Sequence, residues 1–351
     1  VIARIEVYGP GARVHVCIST GRWTTIRPAV RDHISHRIEL HLAEPLDSLI
    51  DRKKQEKLPS LPGRGLTTNG ESMLLAHSSN QDIAHVCSQA ERAGLSPVPR
   101  LKMLPECISV SDLKPVEHGL PFAIGGRDMG TVVWHPRGHG HFMCVGSSGS
   151  GKSTWVRTLL SGISSLGKER ARIVLIDHRR AHLGQVKENM LAAYSASSEA
   201  TEQSLASTVV TLSERLPGAD VTPEQLAARS WWEGPDIYIV IDDADLVSEM
   251  AVESLIPLLP HARDIGLHLI LARKSGGIGR AMFNRFFSAV KDLQPAVLVL
   301  DADRDEGAIF GIKPVTLPPG RGTYLARGHN LGLIHIAQAI STTDNVLDNN
   351  H

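Results

Sequence analysis

The sequence predicts an α/β fold: a mostly parallel sheet with helices on both faces, preceded by a partial second copy of the same fold. Three observations support this prediction. Apolar strands alternate with helical patterns over the second half of the chain, a glycine-rich loop joins one strand to one helix, and several landmarks occur twice in the same order.

The alternation of strands and helices is read from apolar periodicity. Short apolar runs indicate buried strands near residues 131–134, 172–177, 237–241, 267–272 and 296–300. Helical spacing of apolar residues appears between them, over 201–215, 253–259 and 279–293. Strands that alternate with helices are typical of a parallel sheet, because each crossover helix returns the chain to the same edge.

The glycine-rich loop is the most informative segment of the chain. Residues 146–153 read Gly-Ser-Ser-Gly-Ser-Gly-Lys-Ser, which matches the phosphate-loop pattern G-x-x-x-x-G-K-[ST]. An apolar run precedes the loop and a helical pattern follows it, so backbone N–H groups and a helix N-terminus converge on one anion. This context predicts a RecA-like P-loop NTPase fold that binds ATP and Mg²⁺. The predicted nucleotide-binding residues are Gly146, Ser147, Ser148, Gly149, Ser150, Gly151, Lys152, Ser153 and Thr154.

Two carboxylates complete the predicted site. The apolar strand 237–241 ends in Asp242 and Asp243. In this class of ATPase the first acid and the P-loop hydroxyl of Ser153 bind Mg²⁺, while the second acid orients the attacking water. We therefore predict Asp243 and Lys152 as catalytic residues. Aspartate at 243 is one methylene shorter than glutamate, and a misplacement of about 1 Å can slow a reaction on the order of a hundredfold, which predicts slow hydrolysis.

Two arginines are weaker candidates for the same site. Arg273 follows the strand 267–272 and could sense the γ-phosphate, or it could be a surface cation. Arg280, with its counterpart Arg27, or alternatively Arg263, could act as a finger toward a neighbouring domain, or these arginines could form ordinary surface salt bridges.

An internal repeat indicates domain duplication. The tetrapeptide Pro-Gly-Arg-Gly occurs at 62–65 and again at 319–322, each time after a strand and an acidic turn. The two copies lie roughly 250 residues apart along the chain. A second P-loop at the same distance before residues 146–153 would therefore fall before residue 1. We therefore predict a truncated C-terminal lobe over 1–85, a linker over 86–117, a complete ATPase domain over 118–340 and a tail over 341–351.

Composition narrows the classes of function. Lysine plus arginine and aspartate plus glutamate both number 37, so no net positive field attracts DNA, and aromatic residues make up only 4% of the chain. The four cysteines show no C-x-x-C spacing, which fits a reducing cytoplasm better than a disulfide framework or a zinc site. No apolar run is long enough to span a bilayer.

Two further clusters have both a functional and a structural interpretation. His135, His139 and His141 have spacings that could hold a metal, but the segment around them offers no acidic or cysteine partner, so we favour a structural role. Trp231 and Trp232 precede the acidic strand, where they either pack against the sheet edge or form a docking patch for a partner.

Together these motifs resemble the FtsK/SpoIIIE-type ATPases, and among them the EccC ATPases of type VII secretion. The P-loop, the Asp242-Asp243 pair, the turn 273–277 and the two Pro-Gly-Arg-Gly segments support the resemblance. Residues 1–85 are similar to the end of the middle EccC ATPase domain and residues from about 118 to 340 to the last one. The segments 21–28, 177–180 and 230–232 also fit that subfamily.

The resemblance implies a protein-export ATPase that engages WXG-type secreted proteins and assembles as a homo-hexamer. It also implies other secretion-machinery subunits as partners, including the membrane-anchored part of the ATPase, and a cytoplasmic position peripheral to the inner membrane. Two other functions remain open at this point: a DNA translocase of the same ATPase class, and a non-catalytic substrate-binding module that ATP stabilises.

Overall fold

A computed structural model describes residues 15–96, 102–126, 128–327 and 329–339. The chain divides into two compact units, Val1–Arg100 and Leu101–His351. The predicted tail, 341–351, and the first fourteen residues of the predicted first lobe lie outside the described residues.

The described part of the first unit contains a three-stranded antiparallel sheet and three α-helices. The strands neighbour one another in chain order: β1 (Glu39–Leu40), β2 (Arg64–Leu66) and β3 (Ser72–Leu74). The helices are α1 (Pro28–Arg31), α2 (Arg52–Glu56) and α3 (Asn80–Arg92). Ser79 and Asp82 form a capping box at the start of α3, and this helix continues across the predicted boundary at residue 85.

The described part of the second unit contains one ten-stranded sheet, in the order β5-β4-β13-β12-β11-β6-β10-β9-β7-β8. The strands are β4 (Leu120–Gly125), β5 (Gly130–Trp134), β6 (Phe142–Gly146), β7 (Ala171–Asp177), β8 (Leu191–Ser195), β9 (Asp236–Asp242), β10 (Leu267–Lys274), β11 (Ala296–Val299), β12 (Arg321–Ala326) and β13 (His329–Ile336). The six strands from β11 to β8 are parallel and the other four pair antiparallel. The predicted, mostly parallel α/β fold is confirmed.

Helices cover both faces of this sheet, as the sequence predicts. In the described residues they are α4 (Pro136–His139), α5 (Lys152–Ser165), α6 (Ser198–Ser213), α7 (Pro223–Ala228), α8 (Glu249–Glu253), α9 (Ile278–Ala281) and α10 (Arg285–Asp292). Helix α5 buries Trp155 and Leu159 in the core on one face, while α6 buries Leu205 and Leu212 in the core on the other. Among the described residues, no helix combines the length and the apolar character that a bilayer crossing requires.

Several elements differ from the sequence prediction. The pattern over 253–259 is a short α8 followed by a 3₁₀ helix, Ile256–His261, because Pro257 and Pro260 cannot donate α-helical hydrogen bonds. The pattern over 279–293 is two helices, since the Asn284 side chain caps the N-terminus of α10 and starts a new helix. Strands β4, β8, β12 and β13 are additions to the predicted set.

The later part of the predicted linker is attached to the second unit. Val110 N–H donates to Gln338 O at 3.0 Å, and Gln338 N–H donates to Ile108 O at 2.8 Å. Arg321 donates to the carbonyl oxygens of Leu104 and Pro105, each at 3.2 Å. Residues 102–113 therefore run along the end of β13 and the turn before β12.

The two Pro-Gly-Arg-Gly segments have the same local structure. Gly63 and Gly320 adopt left-handed φ angles of 76° and 78°. A Cβ on Gly65 would lie 2.6 Å from Glu39 O, and a Cβ on Gly322 would lie 2.7 Å from the corresponding oxygen, Val299 O. In each unit the second glycine thus lets a strand approach its antiparallel neighbour, which supports the proposed duplication.

Gly322→Ala tests this close approach. The added methyl group would also meet Leu300 Cδ2 at 2.8 Å, so we expect the substitution to lower the free energy of unfolding by about 1–3 kcal/mol. Gly130→Ala is the matched control, because a Cβ there has no neighbour within 4 Å and the φ angle is not left-handed. Denaturant unfolding measures both variants, and equal stabilities would contradict the assignment.

Candidate nucleotide site

The predicted phosphate loop lies between the central strand β6 and helix α5. Every residue of β6 is buried, and the strand pairs in parallel with β10 on one side and β11 on the other. At the other end of the loop, the fully buried Trp155 packs edge-on against Phe142, with ring centroids 4.8 Å apart. Both ends of the loop are therefore anchored in the core.

The backbone of the loop has the shape of an anion-binding nest. Gly149 and Gly151 have φ angles of 75° and 107°, which turn successive N–H groups toward the same side. Gly320 N–H donates to Ser150 O at 2.9 Å, and a Cβ on Gly151 would lie 2.9 Å from Gly320 N. The turn before β12 therefore supports the loop and restricts position 151 to glycine.

Contacts within the loop also fit a phosphate ligand. Ser147 N–H donates to Asp301 O at 2.7 Å, and its hydroxyl donates to the Asp301 carboxylate. The Ser150 hydroxyl is a buried polar atom without a hydrogen-bond partner among the described residues. Ser148 and Gly149 are exposed at the tip of the loop, and Thr154 is half-buried in the first turn of α5.

Lys152 lies across the loop. Its side chain is buried, and Nζ donates to Gly146 O at 3.1 Å and to Ser147 O at 2.7 Å. These partners are neutral carbonyl oxygens, so the ammonium charge is available to an anion held by the nest. This placement agrees with the predicted contact between Lys152 and the terminal phosphates.

The structure brings Ser153 and Asp242 together as predicted. Asp242 ends β9, two strands away from β6, and Ser153 Oγ donates to Asp242 Oδ2 at 2.8 Å. His182 Nε2 lies 2.9 Å from the same oxygen. Burial alone would raise the pKa of Asp242, but the hydrogen bonds from His182 and Ser153 hold that pKa below its ordinary value. The carboxylate is therefore charged at neutral pH.

His182 was not predicted from the sequence. The loop after β7 positions it: Asp177, the last residue of β7, accepts hydrogen bonds from the backbone N–H groups of Ala181 at 2.9 Å and His182 at 2.7 Å. Gln185 Oε1 lies 3.1 Å from His182 Nδ1. The only sequence signal for this role is a histidine soon after an acidic strand end.

Asp243 lies beside this group in a strained conformation. Its φ angle of 53° is left-handed, and Arg179 Nε lies 2.5 Å from Asp243 Oδ2. Burial and the neighbouring Asp242 raise the pKa of Asp243, against the opposing effect of Arg179. The Asp243 carboxylate, which the sequence predicts to orient water, is thus paired with Arg179.

The two predicted sensor or finger arginines lie on different elements. The strand β10 extends to Lys274, so Arg273 lies inside it, opposite Val145 of β6, rather than after its end. The Arg273 guanidinium lies 5.3 Å from the centre of the Phe287 ring. Arg280 is exposed on the short helix α9. Their roles stay predictions.

The histidines at 135, 139 and 141 do not form one cluster with a shared centre. His141 is buried and its Nδ1 accepts a hydrogen bond from Leu269 N–H at 3.1 Å, whereas His135 contacts the carbonyl of His118. Within the ranges that the structure describes, no group of three or more His, Cys, Asp or Glu side chains could hold a metal. These contacts favour the structural interpretation.

Burial of His141 predicts a pH effect on stability. Burial, with a smaller effect from the neighbouring His268, lowers its pKa from 6.5 to about 3, because a charged ring would lose its hydration at this position. The unfolded chain binds this proton below pH 6.5 and the folded chain does not, so stability falls as pH falls from 6.5 toward 3. The expected loss for this group, reached only when the pH has fallen to about 3, is at most about 5 kcal/mol.

His141→Asn isolates that contribution, since its amide oxygen can accept the same backbone hydrogen bond without binding a proton. Denaturant unfolding at pH 7, 6 and 5 should show the stability of the unsubstituted protein falling relative to the variant. Parallel pH profiles for the two proteins would contradict the assignment.

Comparison with known proteins identifies the family. The family model described as "Helicase HerA, central domain" matches residues 139–225, which include the P-loop and α5. The chain is 37% identical over 348 residues to the ESX-4 secretion system protein EccC4 of Mycobacterium tuberculosis, and this match covers 96% of the chain. It is 34% identical over 355 residues to the ESX secretion system protein EccC of Thermomonospora curvata, again over 96% of the chain.

The chain belongs to the EccC family of ESX secretion ATPases. A solved structure of Thermomonospora curvata EccC, ATPases 2 and 3 in complex with a signal sequence peptide, superposes with a TM-score of 0.68 at 33% identity. That match covers 97% of this chain and 65% of the other. The predicted resemblance and the predicted ATPase class are confirmed.

This EccC-family chain is shorter than its relatives. It spans 28% of the length of EccC4 and 27% of the length of the Thermomonospora protein. The site described above lies in the segment that the HerA model matches and in the strands that follow it. The comparisons therefore support an ATPase domain of the HerA/FtsK type in the second unit.

Proposed function

We propose that this chain is an ATP-binding, slowly hydrolysing ATPase module of a type VII protein secretion system. The observation that carries the proposal is the convergence of Lys152, Ser153 and Asp242 at the carboxyl ends of β6 and β9. This is the place where parallel α/β sheets bind ligands. Lys152 would neutralise the phosphate charge, and the nest of the loop would hold the phosphate oxygens.

Mg²⁺ fits the oxygen atoms of the site. Ser153 Oγ and Asp242 Oδ2 are hard oxygen donors at the end of the loop, and the low pKa of Asp242 keeps it in the ligating form. When bound, the ion would neutralise charge that develops between the β- and γ-phosphates. His182 would hold the Asp242 carboxylate in place through the same oxygen, Oδ2.

The conformation and the contacts of Asp243 support slow hydrolysis. A short side chain, a left-handed backbone and an ion pair with Arg179 all oppose its use as a water-orienting base. Together they support turnover below about 0.1 per second, roughly a hundredfold under a typical enzyme.

The export role rests on the EccC relatives. One relative was solved with a signal sequence peptide, so we propose that this chain also engages the signal sequence of a WXG-type secreted protein. Its further proposed partners are other secretion-machinery subunits, including the membrane-anchored part of the ATPase. In the assembly it would act as a homo-hexamer on the cytoplasmic side of the inner membrane.

Nucleotide binding, turnover and substrate response are measured together to test the proposal. Mg·ATP should raise the melting temperature, because a ligand of the folded state stabilises it by mass action. Turnover should be slow without a WXG-type substrate and faster with one. The substrate is added as its signal-sequence peptide, and a scrambled peptide of the same composition is the control.

Three other outcomes would contradict parts of the proposal. Stabilisation by ATP without turnover under any condition would favour a non-catalytic, ATP-stabilised module. A salt-sensitive mobility shift with duplex DNA, together with DNA-stimulated turnover, would favour a translocase. A melting temperature that does not respond to Mg·ATP would overturn nucleotide binding itself.

A further inference from the structure

A second site lies under helix α6, away from the phosphate loop. A cavity of about 540 Å³ separates the end of α6 from the sheet near the starts of β7 and β9. Apolar residues form part of its lining, and the polar part includes two arginines and four hydroxyl residues: Arg172, Arg215, Ser204, Ser207, Thr208 and Thr211. The phosphate loop follows the carboxyl end of β6, so the two sites lie at opposite edges of the parallel strands.

Part of this polar lining borders the apolar core. Arg172 lies on β7 in the same alternating row as Val174 and Ile176, both of which are buried in the core under α6. On the helix side, Ser204, Thr208 and Thr211 recur at a spacing of three or four residues and so share one face, and Arg215 follows just after the helix ends. Polar groups on the sheet and on the helix therefore keep α6 and the sheet from packing together here as an apolar core would.

Both arginines carry donors that the fold does not use. Arg172 donates one N–H to Leu191 O at 2.6 Å, while its Nε is buried without a hydrogen-bond partner. Arg215 is only 9% exposed, and its Nη1 donates to the carbonyl oxygens of Pro235 and Ile265. Neither guanidinium belongs to any ion pair within 4.0 Å among the described residues.

The Trp231-Trp232 pair of the sequence holds Arg215 in this arrangement. Trp231 Nε1 donates to Arg215 O at 2.8 Å, and the Arg215 guanidinium lies 4.3 Å from the centre of the Trp232 ring. Trp232 Nε1 donates to Asp264 O at 2.9 Å. The two indole rings therefore pack within the fold and fix one of the two cations that face the cavity.

Two guanidinium groups in one cavity require a counter-charge. Burial lowers the pKa of Arg215 and Asp236 acts against that effect, but the Asp236 carboxylate has its close contact with His268, 3.5 Å from Nε2. Burial of positive charge without a paired anion is unfavourable. A bound anion would relieve this cost.

We propose that this cavity binds a phosphate-class oxyanion. Guanidinium forks and hydroxyl groups are the donors that match several oxygens on one tetrahedral centre. Thr208 and Thr211 use their hydroxyls on carbonyls of their own helix, and Ser204 bonds Ser195, so Ser207 is the hydroxyl free to join the arginines. The assigned ligands are Arg172, Arg215 and Ser207.

Inorganic phosphate is the probe for this site. Since the phosphate loop also binds phosphate, the titrations use the Lys152→Ala variant of the full chain as the background, at constant ionic strength. Phosphate should raise its melting temperature and give a saturable heat signal in calorimetry. Adding Arg172→Gln should weaken the apparent Kd at least about tenfold, and adding Ser207→Ala should weaken it about two- to fivefold.

Arg285→Gln is the matched control on the same background, because its side chain is 79% exposed and distant in sequence from the cavity residues. It should leave the Kd unchanged. Equal affinity in the Arg172→Gln, Ser207→Ala and control proteins would overturn the proposal, as would the absence of phosphate binding on the Lys152→Ala background. Malonate that binds as tightly as phosphate would overturn the assignment to the phosphate class. Ser207→Ala keeps both cations, so it remains informative even if Arg172→Gln unfolds.

Discussion

Lys152→Ala should weaken Mg·ATP binding roughly a hundredfold. The ammonium group is buried beside the phosphate loop and contacts only carbonyl oxygens, so its charge serves the ligand rather than an internal ion pair. Hydrogen bonds to charged groups contribute about 1.5–3 kcal/mol each, and each 1.4 kcal/mol changes affinity tenfold. Calorimetric titration of Mg·ATP against the unsubstituted chain and the variant measures the difference.

Lys168→Ala is the control for lost positive charge. Lys168 follows helix α5, and its side chain is 59% exposed beside Glu169. Its replacement should leave the nucleotide affinity within about twofold, and both variants should unfold at similar denaturant concentrations in the absence of nucleotide. Unchanged affinity in Lys152→Ala would refute the assignment of residues 146–153 as the nucleotide site, and with it the proposed function.

Asp242→Asn should have a comparably large effect on the metal-dependent part of binding. The substitution keeps the size of the side chain but removes the charge that the hydrogen bonds from His182 and Ser153 stabilise. A neutral amide is a weaker Mg²⁺ ligand than a carboxylate. We expect the stimulation of nucleotide binding by Mg²⁺ to disappear and any turnover to fall about a hundredfold or more.

The readout for Asp242→Asn is nucleotide affinity with Mg²⁺ and with EDTA. The variant should bind ATP without metal about as well as the unsubstituted chain does, because Lys152 and the loop remain. Asp292→Asn, at the exposed end of α10, is the control for a lost carboxylate. If Mg²⁺ stimulates binding equally in all three proteins, Asp242 is not a metal ligand.

The parts of the site that the sequence predicted are those with a local signature. The apolar run before residue 146, the glycine spacing and the helical pattern after Lys152 together specify a strand, a loop and a helix without reference to the rest of the chain. The strand that ends in Asp242 also has a local signature, an apolar run followed directly by two carboxylates. Its position near Ser153 then follows from the order of strands in a parallel P-loop sheet.

The parts that were missed depend on contacts between distant segments. His182 reaches Asp242 only because β7 and β9 are neighbours in the sheet, and its own sequence context resembles an ordinary surface loop. The antiparallel strands β12 and β13 contain glycine and polar residues, so their apolar periodicity is weak. The cavity under α6 could not be predicted from the sequence either, since Arg172 on β7 and Arg215 after α6 line it from segments that are far apart in the chain.

The support that Gly320 gives to the phosphate loop sets an order of events during synthesis. Gly320 N–H bonds Ser150 O, yet the two residues are separated by strands β7 to β11 in the chain. At about 5–20 residues per second, a ribosome that has made Gly151 needs roughly 10–30 seconds more to reach this turn. Until then the emerging chain carries its phosphate loop without that hydrogen bond, so nucleotide can meet a fully supported loop only late in translation.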